Sequence, residues 1–445
     1  MKSDNKSKVK KFIVTALLLV VIIPLAVFIG LSLKKNNNKD IQYKGDIVSD
    51  EFVKETTSLT SKDTSDLTEQ TQNMSDSEEE AETVLESDID PAITYADEML
   101  AGMSLHEKIC QMFIVTPEAA SGYNVVTYID EKQKKALSDY PVCGYIFFAQ
   151  NLNNKEQTYD MLAIVKQYAE EYNDIPFFTC VDEEGGKVSR CAKMLGTTSF
   201  SPMYDYREDG EGKAYYNAYV IAEDISELGF NLDFAPVADI WSNTSNSVIG
   251  KRAYSDNYEE GARLIASAVK GFNDGGVICC LKHFPGHGDT AGDSHNKAVY
   301  LNKSLSELAN QEYLPFLSGI DAGAGMVMIG HLYLSDEDIT SEEDELPASL
   351  NYKVITGELR NKLGYNGVVI TDSLSMGAIT EYFTSDEAAK LSVLAGADIL
   401  LMPEDFSLAV TSLEEAVDKK EISERRIDES VRRILISEYN YFQRK

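Results

Sequence analysis

Three of the chain's five histidines lie within one short segment, residues 281–295, which reads LKHFPGHGDTAGDSH. Asp293 and His295 are two residues apart, so in an extended segment their side chains point the same way. A carboxylate beside an imidazole fixes the tautomer of the ring and stabilises its protonated form. Such a pair can donate a proton and later remove one near neutral pH. The spacing therefore predicts a proton-shuttle role for His295, with Asp293 as its partner.

The same segment could also hold a metal ion or serve only as a turn. His283 and His287 are four residues apart, but Pro285 and Gly286 would break a helix that presented both on one face. No metal site is therefore predicted, and a metal-dependent hydrolase is kept as an alternative. His287 lies between two glycines, which favours a turn held by imidazole hydrogen bonds. Lys282 and His283 are donors that suit substrate hydroxyl groups.

A second candidate catalytic group is Asp372, which follows the apolar run Val368–Thr371. An aspartate in this position often caps the next helix. It can also act as a nucleophile when it faces a proton carrier across a site. The spacing alone leaves both interpretations open.

The bulk composition excludes some classes of partner. With 445 residues and a net charge of −32, the chain has no basic field that would attract nucleic acid. Its six cysteines form no C-x-x-C pair and lie mostly in apolar runs. We therefore expect buried free thiols rather than a disulfide framework. No cofactor is predicted, and the absence of a Gly-rich dinucleotide fingerprint after the first strand disfavours a doubly wound sheet.

The first 90 residues differ in character from the rest. Lysines precede and follow the uncharged apolar stretch Phe12–Leu33, whose about 22 residues match the thickness of a bilayer core. Residues 1–35 are therefore predicted to be a cytoplasmic tip and a single transmembrane anchor, with the catalytic body outside the cytoplasmic membrane. Secretion after signal cleavage is the alternative. Residues 36–90 are acidic and rich in Ser and Thr, which predicts a disordered linker.

The pattern of residues 91–445 shows how the candidate groups could be held. Short apolar runs alternate with helical periodicity in about eight β/α units, and such an alternation predicts a TIM-type (β/α)8 barrel. A doubly wound open sheet is the runner-up. Two of the predicted helices are Ser304–Ser318 and Val354–Leu363. The predicted strands are Cys110–Val115, Gly144–Ala149, Phe177–Val181, Leu232–Pro236, Val277–Leu281, Met326–Ile329, Val368–Thr371 and Asp398–Met402.

Charged or imidazole groups follow five of these strands. In a parallel barrel the carboxyl ends of the strands share one rim, so these groups should converge on one active site. The groups, in chain order, are Asp182, Asp239, the pair Lys282 and His283, His331 and Asp372.

Five motifs in register give the sequence a specific resemblance. From about residue 95 to 435 it resembles a glycoside hydrolase family 3 β-N-acetylglucosaminidase of the single-domain, muropeptide-processing kind. The motifs are VDEEGGKVSR (181–190), NLDFAPVADI (231–240), IGKRAYS (249–255), KHFPGHGDT with DSH (282–295) and VITDSLSMGAI (369–379).

The resemblance implies a TIM barrel and a retaining exo-enzyme that removes terminal β-linked GlcNAc from peptidoglycan fragments. It implies Asp372 as the nucleophile and His295 as the acid/base, with Asp293 as its partner. One departure lies after DSH, where the family usually has a proline and this chain continues with residues 296–300, NKAVY. By the same resemblance, the residues that hold the sugar are Asp182, Arg190, Arg252, Lys282 and His283.

Other functions remain open at this point. A β-glycosidase of different sugar specificity and a β-GlcNAc phosphorylase share the implied architecture, and a neutral imidazole repels phosphate less than a carboxylate does. A wall-binding protein without catalysis is a further alternative. We expect a monomer whose partners are carbohydrate wall fragments and, through the N-terminal helix, the membrane.

Overall fold

Eight short parallel strands form the centre of the fold. The computed structural model describes residues 90–173, 175–290, 292, 298–336, 339 and 345–443. The strands are β1 (Phe113–Val115), β2 (Gly144–Ile146), β3 (Phe178–Val181), β4 (Leu232–Asp233), β5 (Ile278–Phe284), β6 (Met326–Ile329), β7 (Val368–Thr371) and β8 (Leu400–Leu401).

The strands follow one another around the sheet in chain order, and β8 returns to pair with β1. Phe113 lies opposite Leu400 in that pair. The last gap, between β7 and β8, is joined by a parallel bridge from Ile370 to Ile399 and by the hydrogen bond from Thr371 N to Ile399 O (3.0 Å). The result is a nearly closed parallel barrel of the TIM type. This sequential order agrees with the predicted barrel and not with the doubly wound alternative.

Side chains along each strand point alternately into the barrel and out towards the helices, so they belong to two separate apolar layers. In β3, Phe178 and Cys180 face the barrel interior, whereas Val181 packs against the helices outside. Both faces are therefore apolar, which explains why the strands read as continuous hydrophobic runs. Ile434 and Tyr441 of the last helix join the interior cluster. The Tyr441 hydroxyl donates to the carbonyl of Gly276 (3.0 Å), just before β5, so this helix closes the amino-terminal end of the barrel.

Helices follow every strand and cover the outside of the barrel. The helix Tyr258–Asp274 is typical: the Asn257 side chain accepts from Glu260 N, and small or apolar residues at helical spacing line its buried face. The major helices are Pro91–Gly102, Leu105–Cys110, Glu131–Asp139, Lys155–Asn173, Glu211–Glu227, Tyr258–Asp274, Leu305–Asn310, Tyr313–Asp321, Ser385–Ala395, Phe406–Asp418 and Glu424–Gln443, with a π-helix at Lys353–Lys362 and short helices at Pro117–Ser121, Cys191–Leu195 and Gly377–Thr380.

Most predicted elements differ from the observed ones by a few residues at their ends, and two differences have a clear physical cause. The first strand begins at Phe113 and not at Cys110, because Ser104 and Glu107 form a capping box that starts the helix Leu105–Cys110. The predicted helix Ser304–Ser318 is two helices that break at Gln311. Pro315 explains the break, since a proline ring clashes with the carbonyl four residues earlier in a continuous helix.

The predicted N-terminal anchor and acidic linker lie outside the described residues, so they and the domain limits stay predictions. Within the part of the chain that is described, no helix has the length and apolar character that crossing a bilayer requires. All six cysteines are free and buried, as the sequence predicted.

Candidate active site

A short hairpin after β3 holds the first group of acidic residues. Its strands, Glu183–Gly185 and Val188–Ser189, pair antiparallel, and Gly186 adopts a left-handed conformation (φ 60°) at its tip. A Cβ on Gly186 would lie 2.7 Å from Pro202 Cα, so only glycine fits there. The Glu183 carboxylate accepts from the backbone N–H groups of Arg190 (2.6 Å) and Cys191 (2.7 Å), which fixes the far end of the hairpin.

The hairpin forms one wall of a cavity of about 640 Å³ at the carboxyl end of the barrel. A volume in this range is typical of a small-molecule site. Barrel residues such as Ile146, Phe234 and Met328 give the cavity an apolar floor. Six of the predicted site residues line this one cavity: Asp182, Arg190, Arg252, Lys282, His283 and Asp372.

A network of ion pairs crosses the cavity wall. Lys282 Nζ lies 2.8 Å from Asp182 Oδ1 and 2.7 Å from Glu184 Oε1. The Arg252 guanidinium binds Glu184 in a bidentate manner, with both N–O distances 2.8 Å. Arg190 lies further out, with Nη2 3.9 Å from Asp182 Oδ2. The network places alternating charges along the wall and presents donors and acceptors to any ligand in the cavity.

These contacts fix the protonation states of the network. Burial alone would raise the pKa of Glu184, but Arg252 and Lys282 hold it well below its usual range. Burial likewise opposes the charge of Lys282, yet the carboxylates of Asp182 and Glu184 raise its pKa. Lys282 and Glu184 are therefore both charged throughout the physiological pH range.

Glu184 is the main site residue that the sequence interpretation missed. Its side chain is buried (3% exposed) and joins the two cations of the network. Residues two apart in a strand point to the same side, so Asp182 and Glu184 share a face while Glu183 points away. That alternation within VDEEGG was the available signal.

A buried carboxylate orients His283. Asp239 Oδ2 lies 2.7 Å from His283 Nδ1, and Asp239 Oδ1 accepts from the backbone N–H groups of His283 (3.2 Å) and His287 (2.6 Å). Although burial opposes its ionisation, Asp239 has a lowered pKa because both histidines stabilise its charge. His287 is itself buried, which lowers its pKa, and its Nδ1 lies 2.8 Å from Thr290 Oγ1. Asp239 thus supports the site from behind and sets the direction of the His283 ring.

The loop after β7 positions Asp372. Its backbone N–H donates to Ile329 O (2.8 Å), and its Oδ1 accepts from Ser373 N (2.7 Å). Buried His331 has its Nε2 2.9 Å from Ser373 O and so holds the residue beside Asp372. The next helix begins with Met376 as its N-cap, which excludes a helix-capping role for Asp372. The predicted strand ends do converge, with Asp239 and His331 as buried supports.

The predicted acid/base pair, Asp293 and His295, lies outside the described residues. The chain on both sides of it is held by one group of contacts centred on Lys303. Lys303 Nζ lies 2.6 Å from Glu312 Oε1, 2.9 Å from the Tyr258 hydroxyl and 3.7 Å from Asp289 Oδ2. Asp289 precedes the pair and Lys303 follows it. The chain segments before and after the pair therefore both lie near Tyr258, at the start of the helix Tyr258–Asp274. In the ranges that the structure describes, no three His, Cys, Asp or Glu side chains are arranged to hold a metal ion.

Comparison with known proteins agrees with this geometry. Residues 104–436 match the glycosyl hydrolase family 3 N-terminal domain. The chain belongs to this family. The resemblance that the five motifs predicted is thereby confirmed.

Individual relatives within glycosyl hydrolase family 3 are moderately similar. Beta-hexosaminidase A of Pseudoalteromonas piscicida is 31% identical over 329 residues, which cover 69% of this chain and 55% of that protein. A beta-hexosaminidase of Stenotrophomonas maltophilia is 31% identical over 283 residues, 62% of this chain and 80% of that one. A solved family 3 β-N-acetylglucosaminidase from a Paenibacillus species superposes with a TM-score of 0.71 and 35% identity, covering 77% of this chain and 64% of that chain. The chain thus spans a little over half the length of the first of these relatives.

Proposed function

We propose that the chain is a retaining exo-β-N-acetylglucosaminidase that releases terminal β-linked GlcNAc from peptidoglycan fragments. The observation that carries the proposal is the single cavity in which Asp372 faces the charged network of Asp182, Glu184, Lys282 and Arg252. A size suited to one small ligand fits removal of one terminal sugar at a time. The names of the family 3 relatives, beta-hexosaminidase and β-N-acetylglucosaminidase, support the same sugar class.

In the proposed first step, an Asp372 carboxylate oxygen attacks the anomeric carbon. The glycosidic C–O bond breaks as the new C–O bond forms, and His295 donates a proton to the departing oxygen. In the second step His295 removes a proton from water, whose oxygen displaces Asp372 from the same carbon. Two inversions give net retention, and both catalytic groups return to their starting states. Asp293 keeps the imidazole oriented and stabilises its protonated form.

The remaining cavity residues have binding roles in the proposal. Lys282 and Arg252 donate to sugar hydroxyls, and their contacts with Glu184 keep both cations in place. His283, whose Nδ1 is held by Asp239, offers its other ring nitrogen. Asp182 and Arg190 provide an acceptor and a donor on the same wall. Several preoriented hydrogen bonds hold the anomeric carbon in line with Asp372.

Asp372→Asn tests the nucleophile directly. Turnover of a chromogenic β-GlcNAc glycoside should fall at least about 1,000-fold, because the amide cannot form the glycosyl-enzyme. The thermal unfolding midpoint should stay unchanged, since the amide oxygen can still accept from Ser373 N. Asp160→Asn, on the exposed face of an outer helix, is the matched control. A wild-type rate in Asp372→Asn would remove Asp372 from the mechanism.

The same assay separates the alternatives. An early NMR spectrum of the product should show the β-anomer, and a panel of aryl glycosides should favour GlcNAc over glucose and xylose. Formation of GlcNAc 1-phosphate in phosphate buffer would indicate a phosphorylase. Loss of activity to a chelator with recovery on zinc addition would indicate a metal enzyme, and fragment binding without any product would indicate a non-catalytic wall protein.

We also propose that residues 12–33 anchor the chain, with the barrel outside the cytoplasmic membrane and in monomeric form. The support is the uncharged apolar length of this stretch, with lysines on both sides. The mass of the membrane-bound form distinguishes an intact anchor from a cleaved signal, and light scattering of the detergent-solubilised chain tests the monomer.

A further inference from the structure

Three tyrosines on the segments that follow β5, β6 and β7 form an aromatic surface, which we call the tyrosine platform: Tyr300, Tyr333 and Tyr382. The strands Val299–Leu301 and Leu332–Leu334 pair in parallel and place Tyr300 opposite Tyr333. Their ring centroids are 5.3 Å apart. Tyr382 lies close enough for its phenol to affect the pKa of both rings. The platform is therefore assembled from the loops that follow β5, β6 and β7.

The three rings differ sharply in exposure. Tyr300 is 45% exposed and Tyr382 is 55% exposed, whereas Tyr333 is only 5% exposed. Burial accordingly raises the pKa of Tyr333 to about 12. The Tyr300 hydroxyl is hydrogen-bonded to Glu345. Tyr333 and Glu345 thus hold Tyr300 in place, and Tyr300 and Tyr382 are each left about half exposed to solvent.

Chain connections place the platform at the same end of the barrel as the cavity. Leu332–Leu334 directly follows His331, whose Nε2 lies 2.9 Å from the carbonyl of Ser373, and Ser373 lines the cavity. Met376 also lines the cavity, and Tyr382 follows it after the one-turn helix Gly377–Thr380. Six residues span about 9 Å as helix and at most about 20 Å when extended. Tyr382 is therefore within the reach of a short oligosaccharide that enters the cavity.

Exposed aromatic faces at the edge of a ligand site usually have a partner. Two neighbouring rings left half in water give up the stabilisation that burial would provide. Tyrosine suits a sugar ring because its flat face contacts C–H groups while its hydroxyl can bond a sugar hydroxyl. Under the proposed function the cavity holds the sugar that is released, and the leaving group extends from it towards the rim.

We propose that Tyr300 and Tyr382 bind the sugar on the leaving-group side of the cleaved bond, with Tyr333 as their support. The proposal rests on the proposed function and deepens it by naming the residues that contact the leaving sugar. Substrates with a small alkyl leaving group cannot cover the platform. The site therefore selects for a saccharide leaving group through stacking contacts.

The test compares two substrates in the full chain and in Tyr300→Ala and Tyr382→Ala variants. Each variant should lose about 5- to 10-fold in kcat/KM on the β-1,4-linked GlcNAc disaccharide, in the range of one aromatic contact. On ethyl β-GlcNAc each should lose less than about twofold. Tyr300→Phe keeps the ring face and should retain most of the disaccharide rate. Tyr172→Ala, equally exposed (52%) at the far end of an outer helix, is the control and should change neither rate.

Any other outcome would contradict substrate binding by the tyrosine platform. Equal losses on both substrates would mean that the variants disturb the cavity itself, and unchanged disaccharide rates would mean that the rings make no contact with substrate. Both results leave the proposed function intact, because the wild type still cleaves β-GlcNAc. A wild type that cleaves neither glycoside would remove the proposed function and the platform with it.

Discussion

The two ends of the barrel each contain a buried carboxylate among cations, but only one end is built as a site. At the carboxyl end, Glu184 lies between Lys282 and Arg252. At the amino-terminal end, Asp398, just before β8, is surrounded by three arginines. These are Arg360, Arg426 and Arg433.

The two clusters differ in how completely their hydrogen-bonding groups are paired within the protein. Both oxygens of Asp398 have protein donors: Ser430 and Arg433 on Oδ1, and Arg360 and Val369 N on Oδ2. At the carboxyl end, the buried Nε of Arg190 has no acceptor among the described residues. A cavity of about 400 Å³ also borders Arg433, but that guanidinium already donates to Asp398 and to the Glu429 carbonyl. The cluster around Asp398 is closed by its own contacts, whereas the residues around Glu184 line the cavity that also contains Asp372.

The largest expected effect in this comparison is on stability. Asp398→Asn leaves arginines around a neutral amide, and breaking a buried ion cluster in this way costs about 3–5 kcal/mol. Urea unfolding should show this loss, while kcat and KM for the β-GlcNAc glycoside stay at wild-type values in the folded protein. If Asp398→Asn changed KM but left the free energy of unfolding unchanged, Asp398 would belong to a binding site and not to a structural cluster.

Glu184→Gln makes the same chemical change at the other end. We expect kcat/KM to fall about 10- to 100-fold, because Lys282 and Arg252 lose the anion that holds their donors in place. The loss of stability should be smaller than for Asp398→Asn, about 1–2 kcal/mol, because Lys282 keeps its contact with Asp182. Glu227→Gln, on an outer helix, controls for the change of charge. Full activity with a large stability loss would make Glu184 purely structural.

The smallest expected effect concerns pH and the amino-terminal end. His106 has Nδ1 2.6 Å from Glu414 Oε1 and Nε2 2.8 Å from the Asp139 carbonyl, so both nitrogens donate and the ring is protonated. Partial burial opposes this charge, but the two hydrogen bonds outweigh it and raise the pKa of His106 above 6.5.

Because the folded pKa of His106 is the higher one, its contribution is complete below pH 6.5 and is lost as pH rises through the folded value. The ring is partly exposed, so the loss should be under about 1 kcal/mol. Urea unfolding between pH 6 and 9 should show it in the wild type and not in His106→Gln. If the free energy of unfolding rose with pH in the wild type but not in His106→Gln, the contacts of His106 with Glu414 and Asp139 would be contradicted.

The strands and their polar ends were predictable because each depends on local pattern. Met326–Ile329 and Val368–Thr371 match the observed strands residue for residue, since each is an apolar run bounded by glycine and a polar group. The shared direction of parallel strands then brings Asp182, Lys282 and Asp372 to one cavity without further information.

The partners of the site residues were not predictable in the same way. The sequence presented His283 as a free donor, but Asp239, 44 residues earlier, binds its Nδ1 in the fold. Glu184 gains its role from the turn of the hairpin, which aims it at Lys282 and Arg252. Spacing along the chain indicates that Glu184 shares a face with Asp182, but the partners of Glu184 and His283 depend on tertiary distances. The helix Leu105–Cys110, by contrast, was missed although its capping box was visible in the sequence.

The pairing of β8 with β1 has a consequence for biosynthesis. Leu401 and Met402 complete the wall of the cavity, and β8 completes the ring by joining a strand nearly 300 residues earlier in the chain. A growing polypeptide therefore contains most of the side chains that line the cavity before the cavity wall can be completed. Only when the eighth strand has left the ribosome and found the first can the nascent chain acquire its pocket.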